Sequence, residues 1–172
     1  MRRTISVHVE NEAGVLSRIA NLFSARGYNI DSLSVAETLD PSVSCMTIVT
    51  HGNDQIIEQI TKQLHKLINV IKVTDLTEGD HIEREMVMIK VTTEPATRAE
   101  ALRIVDIFRG KVVDTTPKSF TVEVTGGEKK IEGIIALLQP LGIKEIVRTG
   151  RIAVARGSAS QLGGVRTPAR RS

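Results

Sequence analysis

The 172-residue chain has no tryptophan, one tyrosine and three phenylalanines, so aromatics are only 2% of it. Its core must be built from Ile, Val, Leu and Ala. The scarcity also argues against a module that stacks RNA bases on sheet aromatics, since Phe23 and Phe108 fall on apolar helix stripes. The single cysteine, Cys45, permits no disulfide within the chain, which suits a reducing compartment. It lies in a strand-like run and reads as a small core residue. No apolar run approaches the roughly 20 residues of a membrane span. Met1–Thr4 lead directly into a strand-like run, so no signal or transit peptide is expected there, and the expected location is the cytoplasm.

Catalytic constellations are also missing. His8, His51, His65 and His81 show no metal-ligand spacing, and His65, at the end of a helical stripe, reads as a surface histidine. The chain has no CxxC, no GxSxG and no glycine-rich phosphate loop. With no acid–base or nucleophile pair in view, an independent enzyme is disfavoured. The formal charge of +3 belongs to one end. Residues 151–172 hold five arginines and no acid, which leaves 18 basic and 20 acidic residues in the rest. A nucleic-acid reader should carry a basic face on its body, and this body is nearly neutral.

What is present centres on Asn11–Ile30. The alternating run Ile5, Val7, Val9 has the period of a half-buried strand. After a polar turn the period changes. Val15, Leu16, Ile19, Ala20, Leu22 and Phe23 then make one helical stripe, and Gly27 follows as a stop. Gly14 stands where the helix opens and its first N–H groups lack internal acceptors. Such a terminus suits an anion, including the carboxylate of a small acid. Asn11 can both donate and accept beside it. Ordinary turns use the same residues, so the pattern alone leaves a plain turn open.

The remaining elements follow in order. Strands are predicted near Asn29–Glu37, Ser44–Thr50 and Val70–Leu76, with a helix near Gln55–Lys66. The order β-α-β-β-α-β is the ferredoxin-like arrangement. A second unit repeats it. A strand near Glu85–Thr93 is followed by the stripe Ala101 to Phe108 and by strands near Lys111–Asp114 and Ser119–Thr125. The stripe Ile131 to Leu138, ending before Pro140 and Gly142, and the strand Ile143–Thr149 complete it. The fold class is therefore α+β, two tandem ferredoxin-like βαββαβ domains. Their spans are 1–77 and 85–156, with a solvated linker at 78–84 and a disordered basic tail at 157–172. The second unit has Glu94-Pro95-Ala96-Thr97 where the first has Asn11-Glu12-Ala13-Gly14, so only the first offers a glycine at the helix entrance.

Thr4 to Leu76 resembles the ACT domain of the small, regulatory subunit of acetolactate synthase (acetohydroxyacid synthase). The resemblance rests on Asn11-Glu12-Ala13-Gly14-Val15-Leu16, on Leu22 to Ile30 and on Glu58 to Leu67. It continues through Glu83-Arg84-Glu85 and Ile107-Phe108-Arg109-Gly110 to about Gly157, and leaves Ser158–Ser172 unmatched. It implies a subunit with no active site, catalytic residue, metal or cofactor of its own. Its partner would be a large catalytic subunit, a transferase carrying thiamine diphosphate, magnesium and FAD in branched-chain amino acid biosynthesis. The small subunit would activate that partner and confer feedback inhibition by valine. It also implies a homodimer through the ACT domain, with valine at the interface. Asn11, Gly14, Val15 and Leu16 of one chain would meet the effector, with Asn29 and Ile30 from the partner chain. No nucleic acid or membrane partner is expected. The alternative is an amino-acid-sensing ACT regulatory protein not tied to acetolactate synthase.

Overall fold

The computed structural model describes residues 1–157, so the expected tail lies, from Ser158 onward, outside the described residues. The first unit is β1 (Arg2–Glu10), α1 (Val15–Ala25), β2 (Ile30–Glu37), β3 (Val43–His51), α2 (Asp54–His65) and β4 (Val70–Asp75). The second is β5 (His81–Thr92), α3 (Pro95–Ile107), β6 (Lys111–Thr115), β7 (Ser119–Gly126), α4 (Glu128–Gly142) and β8 (Ile143–Arg148), followed by β9 (Ile152–Ala155). Sheet orders are β2-β3-β1-β4 and β6-β7-β5-β8, so each unit is an antiparallel βαββαβ sandwich of the expected class.

Alternation decides which strand face is dry. Ile5, Val7 and Val9 meet Met46 and Ile48 of β3 on one side, and the stripes of α1 (Ile19, Leu22, Phe23) and α2 (Ile57, Ile60, Leu64) close over them. The second core repeats the plan with Val87, Ile89, Val91, Phe120, Val122, Ile131, Ile134 and Leu138. Aliphatic side chains fill most of both cores, with Phe23 in one and Phe120 in the other. Phe23 also makes an edge-to-face contact with Tyr28, centroids 6.4 Å apart.

Local reading errs at four places. Cys45 is half-buried rather than core, because it alternates with Met46 and faces the other side of β3, with Ser6 Oγ 3.6 Å from its sulfur. The 78–84 span is only partly a linker: His81–Arg84 begin β5 and pair with β9, a strand that the sequence pattern does not announce. Glycine and charge signal a loop locally, but the facing strand supplies the hydrogen bonds that extend these residues. α3 starts at Pro95, well before its apolar stripe, since proline's fixed φ and missing N–H suit a first helical turn. α4 runs through Pro140 to Gly142, because a proline in the last turn forfeits only one helical hydrogen bond.

Candidate functional site

The turn between β1 and α1 is held from below. Glu10 N–H donates to Asn69 O at 2.9 Å and Asn11 N–H to Ser42 O at 2.7 Å. The Asn11 side chain donates from Nδ2 to Pro41 O at 2.9 Å. Pro41 is itself fixed by an Asx-type turn: the Ser42 N–H and hydroxyl both donate to Asp40 Oδ1, at 2.9 and 2.6 Å. Those two bonds, the hydroxyl first, hold the Asp40 carboxyl below its usual range. With Nδ2 committed to Pro41, the Asn11 oxygen is the atom left to accept a hydrogen bond.

Gly14 is the N-cap of α1 and lies in the left-handed region, with φ +87° and ψ −9°. It offers no side-chain acceptor, and the first turn carries no acid. A Cβ at Gly14 would meet nothing within 4 Å, so the approach to the helix end is open. The N–H groups of Leu16 and Ser17 lie in that first turn, where a helix has no acceptor of its own. Val15 is buried in the core, whereas Leu16 is 42% exposed beside the opening. The turn thus presents a positive helix end, a fixed amide oxygen and an apolar side chain. Together these are the complement of a small amino acid with an aliphatic side chain.

Asn29 and Ile30 are not at this place in the same protomer. β1 ends where Glu10 pairs with Val43, while Ile30 pairs with Thr50 at the other end of β3. Seven residues of strand, about 24 Å, separate the two groups. Asn29 is exposed; its amide donates to Asp31 Oδ1 at 2.7 Å, and its carbonyl accepts from Thr50 Oγ1 at 2.5 Å. Ile30 packs against the edge of the first core.

In the second unit the matching turn is closed. Glu94 is the N-cap with extended backbone, and Pro95 follows it. The Arg98 guanidinium ties this turn to the β6–β7 turn, donating to Thr115 Oγ1 at 2.9 Å, Thr93 Oγ1 at 3.2 Å and Thr116 O at 3.3 Å. An acid at the cap and an arginine already paired leave no counterpart of the Gly14 opening.

Sequence pattern misses a second cluster, where the two units meet. Arg151 is only 5% exposed. Its guanidinium lies 3.2 Å from Glu83 and 2.7 Å from Glu128, and Glu128 also pairs with Arg2 of β1. The Arg151 guanidinium beside it is the chief cause that holds the Glu128 carboxyl below its usual range. Glu83 accepts from Thr4 Oγ1 at 3.2 Å, and Arg148 forks onto Glu85 at 3.0 and 2.7 Å. Composition counts Arg151 only among the five arginines of the C-terminal end; the break between β8 and β9 turns it inward. Among the described residues, no group of three or more His, Cys, Asp or Glu is placed to hold a metal, and no helix is long and apolar enough to cross a membrane.

Two ferredoxin-like units, the first with an open helix start, define a tandem protein whose first unit is of the ACT type. Residues 5–72 match the ACT domain of the acetohydroxyacid synthase small subunit, and residues 84–157 match the family described as the small subunit of acetolactate synthase. Similar proteins include the acetolactate synthase small subunits of Aquifex aeolicus, 54% identical over 90% of this chain and 81% of that one, and Haemophilus influenzae, 51% identical over 94% and 100%. The solved small subunit from Thermotoga maritima superposes with a TM-score of 0.83 at 41% identity, covering 91% of this chain and 98% of that one. The chain belongs to the acetolactate synthase small subunit family.

Proposed function

We propose that the chain is a non-catalytic regulatory subunit that activates the large catalytic subunit of acetolactate synthase and makes it sensitive to valine. The observation that carries the reading is the open helix start at Gly14 beside the pinned Asn11. The N–H groups of the first turn receive the carboxylate, the Asn11 oxygen receives the ammonium, and Val15 and Leu16 border the isopropyl group. Asn29 and Ile30 complete the pocket from the partner chain of a homodimer, because they lie too far away in their own chain. Thiamine diphosphate, magnesium and FAD would sit on the large subunit, where thiamine diphosphate supplies the carbanion chemistry.

The test is reconstitution. The purified chain, cleared of any host large subunit, should form no acetolactate. Added to the large subunit it should raise the rate, and valine should lower that rate only when the chain is present. Acetolactate formation by the chain alone, or an equal valine response without it, would overturn the reading.

A further inference from the structure

The strand that begins at the expected effector residues also touches the C-terminal unit, through a close approach at Gly150. β2 starts at Ile30, carries a bulge at Asp31, and resumes its ladder at Ser32, opposite Val49. Asp31, in the bulge, pairs with His51 and accepts from the Asn29 amide. Bulges break the ladder locally and are points where a strand re-aims. One residue further on, Ser32 Oγ accepts from Arg151 N–H at 3.0 Å. The preceding Gly150 has φ +81°, and a Cβ there would stand 2.9 Å from Ser32 Oγ and 3.3 Å from Leu33 O. A side chain there would press on Ser32 and strain the left-handed backbone, and this close approach joins β2 to the break between β8 and β9.

The surroundings make the contact selective. Arg151 is locked on its far side by Glu83 and Glu128, so the β8–β9 break follows the C-terminal unit as a rigid body. On the near side lies an open cavity of about 280 Å³ bordered by Asp31, Leu33, Glu85, Arg148 and Thr149. β2 therefore has room to shift there, while Ser32 and Gly150 remain in touch.

We propose that the Ser32–Gly150 contact is the joint that passes effector occupancy from the end of β2 to the C-terminal unit. The proposal rests on the valine reading above and adds how that site is heard. Binding tightens Asn29 and Ile30, the bulge at Asp31 takes up the change, and Ser32 moves against a fixed Gly150–Arg151. In this reading β2 is the one element that both sites bias, which is what a coupling between sites requires.

The test separates binding from response. Valine binding to the isolated chain is measured by titration calorimetry, and inhibition is measured on the reconstituted enzyme, for wild type, Ser32→Ala, Gly150→Ala and the double variant. Circular dichroism checks that each is folded. Binding to the isolated chain should stay within about twofold of wild type. The valine concentration that half-inhibits should rise by about 5- to 150-fold in each single variant, the range of ordinary allosteric couplings. The two changes should not add in the double variant, because both act on one contact. Reciprocity gives a further readout: in wild type the large subunit should alter the chain's affinity for valine, and in the variants it should not. Unchanged inhibition in both single variants, with binding intact, would overturn the joint alone. No valine binding by wild type would overturn the effector reading and the joint together.

Discussion

Gly14 holds a left-handed backbone with open space where a Cβ would stand. A side chain at this position projects into the approach to the helix end rather than into the fold. Gly14→Asp places a carboxylate where the ligand's own carboxylate should sit, and adds left-handed strain of about 1 kcal/mol. A charge-assisted hydrogen bond is worth roughly 1.5–3 kcal/mol, so losing one or two weakens binding by about ten- to ten-thousandfold. The expected outcome is loss of valine inhibition with activation of the large subunit retained. Thr97→Asp, in the first turn of α3, should leave valine inhibition as it is, since the Glu94 cap and Arg98 already close that turn. Valine titrations of the two reconstituted variants check this, and the reverse result would place the site in the second unit. Asn11 and Gly14 were legible in the sequence because a turn is local. The bond from Asn11 to Pro41 was not, since a residue thirty positions away supplies its acceptor.

Among the elements, β2 is exposed in two senses. It is the edge of its sheet, and Val35 on it is 42% exposed. Edge strands need cover or a partner, and here a second copy would both pair the edge and bring Asn29 and Ile30 to the other chain's Gly14. Sedimentation velocity at micromolar concentration should give a dimer, and Val35→Lys should shift it toward monomer, because a lysine on the edge is a common block to pairing. A wild-type monomer would count against the shared pocket. Apolar spacing in the sequence predicted α1 and α2 almost to their ends, and α2 carries a side-chain cap, with Ile56 N–H donating to Asn53 Oδ1 at 3.0 Å. β9 escaped because Ile-Ala-Val-Ala has no period of its own to read. It is a strand only because His81–Arg84 lie opposite.

Across the whole molecule, Arg2 of the first unit reaches Glu128 of the second, and Arg151 sits buried on the same carboxylate, between Glu83 and Glu128. Arg151→Met leaves Glu83 and Glu128 without their shared partner. Breaking a buried pair from one side costs about 3–5 kcal/mol, and partial solvation of Glu128 puts this case near 3. Urea unfolding should show the loss as a lower midpoint, carried by the unit that contains Phe120. The same cost in Arg156→Met would argue that the effect is not specific to the joint, since Arg156 faces solvent and reaches Asp80 only at 3.8 Å.

By itself the sequence determined that this chain is two βαββαβ units, that only the first opens at a glycine, and which residues fill the two cores. Those properties follow from periods of 2 and 3.6 and from turn chemistry, none of which depends on distant residues. Tertiary structure alone decided that Arg151 is buried between Glu83 and Glu128, that Gly150 sits against Ser32, and that Asn29 and Ile30 lie at the far end of the sheet from Gly14. Each of these depends on which strand lies beside which. A charge or a glycine acquires its partner only when the sheets are assembled, and nothing in its immediate neighbours records that choice.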